Sequence, residues 1–432
     1  MFKNKLTYKY YENIELLIIY NYFTRETLYY ENISAKLLYN ILSDSENNNY
    51  SILEQYQIPQ NEYKSFIYEC TNLLSAANRQ SSNDIQLQNH YNNDDISSYV
   101  YKLGIMIGMH IDITKRCNFR CLHCYHTFDD YDNKDLTYEE IDEMFKILNE
   151  LGVFKVTLSG GEPFLRKDIF KILKLGSKYH FIFEIFTNGS LLSEDIIKQL
   201  SLMNVAKLSF SYYGDKSEYQ HITQYDGYES LMKIVKLCIK YDIDYDLKFI
   251  LMKYNYHHLP TFIKLTQHLG IRQAVELNLT PRLDGTTDNL SEKLDFNDYI
   301  DIFQENKNFF NAFLNNSNMA ETDTIQCNAG RYGLYCDYKG EIYPCVSYRK
   351  KLGTYKDLIK IWNGDLLSSI TSKRNIDFSG FKKHSYCNYC YEICPGLSII
   401  EGKDEYDCNN SSCEISKAIE CLKSKKIKTL NT

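Results

Sequence analysis

The sequence predicts an α/β protein whose centre is a partial (β/α)6 barrel, with a small winged-helix-like unit before it and a cysteine-rich unit after it. Three observations carry that expectation. Between Met109 and Leu279, six short apolar runs alternate with amphipathic segments, the pattern of parallel strands joined by helical crossovers. A polar, Asn-rich stretch from Asn78 to Ser98 divides these runs from the front of the chain. Nine of the 14 cysteines lie beyond residue 315. The expected boundaries are therefore 1–77 for the front unit, 78–105 for a linker, 106–315 for the barrel and 316–432 for the cysteine-rich unit.

The front unit reads as three strands, at LTYKYY, IELLIIYNYF and ETLYYEN, followed by three helices near Ser34–Leu42, Ser51–Gln57 and Glu62–Leu74. Ser34 and Ser51 are the expected N-caps, because a hydroxyl there can accept from a free backbone N–H. In the barrel the strands are expected at HIDIT, FKVTL, FIFEIF, VAKLSF, YDLKFIL and VELNL, with a further helix over Phe296–Leu314. Six alternations suit an open barrel better than a closed eightfold one.

Composition narrows the functional classes. The chain has 432 residues, 44% hydrophobic and 24% charged, with a formal net charge of −7. That is an ordinary globular balance, and its mild acidity argues against a nucleic acid partner. The N-terminal segment lacks the pattern of a signal peptide, and no apolar run approaches the ~18–20 residues that cross a bilayer. A cytoplasmic protein with no membrane partner is expected. Thiols stay reduced there, so the cysteines call for an explanation other than disulfides.

Their spacing provides one. Cys117, Cys121 and Cys124 form a C-x3-C-x2-C loop directly after the first barrel strand, at the end of the barrel where such folds hold their active sites. Three thiolates leave one coordination position open, as in a [4Fe–4S] cluster with a free iron. The rival is a zinc site completed by His123 or His126, although this spacing is unusual for zinc. Cys327, Cys336 and Cys345 form a second group, and Cys387, Cys390, Cys394, Cys408, Cys413 and Cys421 a third, for which zinc knuckles are the rival. Cys70 and Cys238 stand alone in apolar helix-like stretches and read as buried hydrophobes.

With Tyr125 after it, the first loop resembles the defining motif of the radical S-adenosylmethionine (SAM) superfamily. SGGEP (Ser159–Pro163), FTNG (Phe186–Gly189) and SFSYYG (Ser209–Gly214) resemble that family's later motifs in order and spacing. The resemblance implies that Cys117, Cys121 and Cys124 hold a [4Fe–4S] cluster. It places SAM against Tyr125, Gly160, Gly161, Glu162, Pro163, Asn188, Ser209 and Ser211, and Glu162 can accept from an ammonium. Ser209 and Ser211 point the same way by the period of two. Arg282, in TPRLDG, is either a SAM or substrate contact or one half of a structural ion pair.

The C-terminal pattern resembles the SPASM domain, which implies up to two auxiliary [4Fe–4S] clusters. On that resemblance Cys327, Cys336 and Cys345 hold the first. Cys387, Cys390, Cys394 and Cys413 hold the second, with Cys408 as the substitute for Cys413. The family's next cysteine position holds Ser398 here, which implies an open iron in the first auxiliary cluster. The front unit resembles the leader-recognition domain of peptide maturases, the bland alternative being a cap that only stabilises the barrel. Together with SYYGDKSEYQHIT and LNLTPRLDGTTDNL, these features resemble enzymes of the sactipeptide and ranthipeptide type. The implied activity is thioether cross-linking of a ribosomal precursor peptide that carries a leader, with an electron donor such as flavodoxin or ferredoxin. The alternatives are C–C or C–O cross-linking, epimerisation, formylglycine formation, or a non-enzymatic iron–sulfur carrier.

Overall fold

The computed structural model describes residues 6–22, 25–43, 45, 47–74, 103–127, 134–316, 327–390 and 393–430. Most of the expected linker, up to residue 102, lies outside them. At the front, β1 (Leu6–Tyr11), β2 (Leu16–Asn21) and β3 (Glu26–Glu31) form an antiparallel sheet in that order. Every residue of β2 is buried, because the period of two sends its side chains into two different cores. Leu16, Ile18 and Tyr20 pack on Ile105, Phe154, Ile182 and Ala206 of the barrel. Leu17 and Ile19 pack on Ala35, Leu38, Leu42 and Cys70 of the helices. Burial of an aliphatic side chain stabilises by about 1.5–3 kcal/mol, so β2 ties the front unit to the barrel. Tyr11 Oη donates to the Gly152 carbonyl at 2.5 Å, and Arg25 reaches Asp242 and Asp244, each at 3.1 Å.

The three helices run Asn32–Leu42, Asn47–Gln55 and Gln60–Leu74. Neither expected serine cap is one. The first helix leaves β3 directly, with Glu31 at its N-cap and no side-chain cap bond. Ser51 sits inside the second helix and donates to the Asn48 carbonyl at 2.8 Å.

The barrel strands are β4 (Gly108–Thr114), β5 (Lys155–Gly160), β6 (Ile182–Thr187), β7 (Val205–Tyr212), β8 (Tyr245–Ile250) and β9 (Gln273–Glu276), each parallel to the next. The sixth strand ends at Glu276, so most of VELNL is loop. A helix at Lys216–Thr223, unforeseen in the sequence, is set by a capping box between Asp215 and Glu218. The expected helix at 296–314 is two, Phe296–Glu305 and Lys307–Asn316, parted at Asn306, whose φ of −117° and ψ of 63° are not helical.

The sheet does not stop at six strands. Beyond residue 316, β10 (Gly333–Cys336) pairs in parallel with the outer edge of β4, and β11 (Glu341–Tyr343) and β12 (Gly353–Thr354) continue it antiparallel, giving nine strands. Gly333 lies so close to Gly108 that a Cβ would collide with the Gly108 carbonyl, which is why glycine stands there. The last helix, Asn410–Leu430, sends Ile415, Ala418, Ile419 and Leu422 into the barrel's own core. Among the described residues no helix is long and apolar enough to cross a membrane.

Candidate active site

The first cysteine loop leaves the C-terminal end of β4 and is pinned on two sides. Gly161 N–H donates to the Thr114 carbonyl and Glu162 N–H to the Arg116 carbonyl, both at 2.8 Å. A Cβ on Gly160, whose φ is +118°, would strike Thr114, and one on Gly161 would strike the Lys115 and Arg116 carbonyls. The two glycines therefore let the end of β5 lie against the root of the cysteine loop. They also border a cavity of about 380 Å3, within the roughly 300–1,000 Å3 typical of small-molecule sites.

Cys117, Cys121 and Cys124 line that cavity, as do Tyr125, Asn188 and Ser211. Glu162, Pro163, Ser209 and Arg282, also expected SAM contacts, do not. Glu162 is fully buried, and its carboxylate accepts from Asn188 N–H at 2.8 Å, Phe164 N–H at 3.1 Å and Thr187 Oγ1 at 2.8 and 3.0 Å. Burial pushes its pKa up to about 7, with the two backbone donors pulling the other way. It joins the GGEP turn to the FTNG turn. Pro163 is buried at the start of the short turn that follows. Ser209 points the same way as Ser211 but one step deeper, where it donates to Glu184 at 3.4 Å. Arg282 takes the ion-pair role: it grips Asp288 with two bonds of 2.8 Å and donates to the Cys124 and His126 carbonyls, each at 3.0 Å. It fastens the far end of the cysteine loop.

Beneath His110, His126 and Ser159 of the cavity lies a buried acid that the sequence reading missed. Asp112 on β4 is fully buried. Its carboxylate accepts from Ser159 Oγ and Tyr335 Oη, each at 2.5 Å, and lies 3.3 Å from His126 Nε2. Ser159 in turn bonds His110. Burial alone would raise the Asp112 pKa; hydrogen bonding and charge from His126, with His110 and Ser159, outweigh it and hold the carboxyl below its ordinary value. Lys248 of β8 also faces the cavity, its ammonium 4.2 Å from the centre of the Phe186 ring. The signal was present, since polar residues at alternate positions of buried strands (His110 and Asp112) mark an inward polar face.

The C-terminal unit closes one side of this cavity with Val346, Ser347, Cys394 and Leu397. Cys394 therefore stands apart from its expected partners. Cys387, Cys390, Cys408 and Cys413 line a separate small cavity. Cys394 begins a helix (Pro395–Ile400), its Sγ accepting from Leu397 N–H at 3.5 Å. The adjoining Gly396 packs on Ser347 and Tyr348, so tightly that a Cβ would meet the Ser347 carbonyl. Cys345 Sγ accepts from Tyr348 N–H at 3.2 Å, and Cys327 lines a groove with Tyr348, Ile393 and Pro395. Cys327, Cys345 and Cys394 thus each adjoin Tyr348 or its immediate neighbours. Cys336 is fully buried within β10, its thiol donating to the Asp337 carbonyl at 3.4 Å. At the expected position of the missing cysteine, the Ser398 hydroxyl is buried and donates to the Asp407 carbonyl at 2.6 Å. Cys70 and Cys238 are buried in helices.

Four ligands on one zinc at ~2.3 Å bring sulfurs to roughly 3.8 Å from each other. Among the described residues no three cysteines bring their sulfurs within 4.8 Å of one another, which is wider than that spacing. Burial pushes the Cys124 thiol up to about 12 and raises Cys121 as well, so a thiolate set here needs a cationic centre to hold it charged.

Comparison with known proteins agrees with this geometry. The profile of the Radical SAM superfamily matches residues 111–266, and that of the SPASM iron–sulfur cluster-binding domain matches residues 327–391. The chain belongs to the radical SAM superfamily and carries a SPASM domain; its cofactors are SAM and [4Fe–4S] clusters. Among curated proteins, a probable GTP 3′,8-cyclase of Thermococcus kodakarensis is 35% identical over 34% of this chain and 48% of its own length. One of Saccharolobus solfataricus is 28% identical over 40% of this chain and 57% of its own. The chain thus spans about half the length of these relatives. Among solved structures, Streptococcus suis SuiB bound to precursor peptide SuiA superposes with a TM-score of 0.62 at 15% identity, covering 95% of this chain and 98% of that one. Native anSMEcpe with bound AdoMet gives 0.59 at 18% identity, covering 75% and 99%.

Proposed function

We propose that the protein modifies a ribosomally made precursor peptide, joining a cysteine sulfur of that peptide to one of its carbons. The observation that carries this reading is the shared cavity: the cysteine triad of the barrel and Cys394 of the SPASM unit face the same space. When bound, SAM and the reduced cluster supply a 5′-deoxyadenosyl radical that takes a hydrogen from the substrate. The chain's own residues do the rest. Cys117, Cys121 and Cys124 hold the first cluster, and Cys387, Cys390, Cys408 and Cys413 hold a closed one. Cys327, Cys345 and Cys394 would hold a third, which would bind the deprotonated peptide thiol and take up the one electron released as the carbon–sulfur bond forms. Gly161, Asn188 and Ser211 border SAM, and Lys248 orients an anionic group. The SPASM wall excludes water.

The front unit supplies the peptide's handle. β1 and β3 each lack a partner on their outer side among the described residues, and an edge of this kind takes an added strand through main-chain hydrogen bonds. A groove lined by Tyr8, Tyr10, Tyr39, Tyr179 and Lys9 runs beside β1. The likeness to SuiB extends over the front unit as well as the barrel, whereas that to the cyclases is confined to part of the chain. Incubation of the reduced protein with SAM and a precursor encoded beside its gene should remove two hydrogens for each cross-link. Unshifted peptide alongside normal 5′-deoxyadenosine release would overturn thioether formation, and deuterium uptake without a mass loss of hydrogen would assign epimerisation.

A further inference from the structure

One group of side chains lies outside this cavity and has no part in the reaction described. Glu218, on the Lys216–Thr223 helix after β7, is nearly fully buried. Its carboxylate fits there because Gly214, at a φ of +119°, has no Cβ; one would collide with it. Oε2 accepts from Asp215 N–H at 2.8 Å. Oε1 faces two imidazoles of the turn Tyr256–His258, which follows β8: His257 Nε2 at 3.0 Å and His258 Nδ1 in closer contact. In an extended chain, consecutive side chains diverge; in this tight turn the two rings sit 4.7 Å apart and converge on one oxygen. Among the described residues no lysine or arginine lies within ion-pair distance of Glu218. A buried carboxylate with only imidazole nitrogens before it lacks a fixed cation.

We propose that Glu218, His257 and His258 bind a divalent metal ion of the zinc class, with Asp215 as a positioning residue. Two imidazoles and a carboxylate are a donor set suited to such an ion, on bonds of about 2.0–2.2 Å. Their donor atoms all lie within 4.8 Å of one another, and this is the one such group of three among the described residues. Asp215 Oδ2 stands 3.8 Å from His258 Nε2, beyond hydrogen-bond distance but on the side from which a carboxylate would orient a ligating imidazole once drawn closer. The His257 side chain is 58% exposed, which leaves an approach from solvent and room for a water ligand. The ion fastens the turn after β8 to the helix after β7. In the same turn Asn255 Nδ2 donates to the Tyr213 carbonyl at 3.1 Å, and Tyr213 lines the cavity, so the ion stiffens one wall of the active site.

The test uses the full protein with its iron–sulfur clusters filled, dialysed against micromolar zinc. The expected result is one zinc per chain whose X-ray absorption reports only nitrogen and oxygen neighbours. His257→Gln and His258→Gln should each weaken retention at least tenfold while iron content stays at the wild-type value. Absence of retained zinc overturns the proposal. So does zinc with sulfur in its shell that both variants keep, which would place it on cysteines.

Discussion

Glu162→Gln isolates the joint between the two SAM-motif turns. The native carboxylate accepts from two backbone N–H groups and one hydroxyl through two oxygens in a fully buried site. Glutamine keeps the shape and one oxygen, but its amide nitrogen must face either the Asn188 or the Phe164 N–H. A buried donor left without an acceptor costs about 1–3 kcal/mol. At 1.36 kcal/mol per tenfold, a cost of about 2 kcal/mol is a change of roughly 30-fold in local opening. Hydrogen exchange of the 186–190 segment, followed by mass spectrometry on cluster-loaded protein, should accelerate by that order, while exchange in β8 stays put. SAM affinity should fall with it, since Asn188 borders the cavity. Exchange within twofold of wild type would refute the assignment of Glu162 as the link between the turns.

Glu184→Gln probes the charge ladder across β5, β6 and β7. Burial would raise the Glu184 pKa, but Lys155 at 2.5 Å and Lys207 at 2.8 Å pull it down to about 2. A depressed carboxyl contributes stability above its ordinary value of 4.5, and that stability is lost as pH falls toward about 2; the shift is worth on the order of 3 kcal/mol before discounting for the half-exposed Lys155. The urea midpoint of wild type should therefore fall more steeply between pH 5 and 3 than that of the variant, and parallel slopes would contradict the ladder. Cys408→Ala should lose iron from the closed auxiliary cluster and Cys394→Ala from the open one, read as distinct changes in the electron paramagnetic resonance of reduced protein; loss of the same signal in both would restore the grouping expected from spacing. Lys248→Met should raise the peptide KM at least tenfold with SAM cleavage in the absence of peptide unchanged, and an unaltered KM would remove Lys248 from substrate binding.

Much of this architecture was legible in the sequence because buried parallel strands must be apolar and their crossovers amphipathic. The ends were less so. VELNL reads as a strand, but Leu277 and Leu279 are buried by the loop that carries Arg282, and burial alone does not distinguish the two. Pairing of β10 with β4 joins residues 225 positions apart, such as Tyr335 and His110, and no local pattern announces it. In the site, spacing located the cysteine triad and the glycine turn. It could not say that Glu162 faces inward or that Cys394 faces the barrel, because both depend on which side of a turn the chain leaves. Cys336 lies at a plausible ligand spacing, yet its strand packs into the barrel core, which spacing alone does not reveal.

The joining of β10 to β4 bears on how such a chain can be cut or recombined. Were the polypeptide to end near residue 316, β4 would present a row of unpaired amides and carbonyls along Gly108–Ile111, and the core would lose Ile415, Ala418 and Ile419. An open edge of that kind invites association with other chains. The barrel and the SPASM unit are thus one cooperative body rather than two exchangeable modules. A graft of a foreign SPASM unit would have to bring its own first strand in register, glycine included, before any of its cysteines reached the cavity.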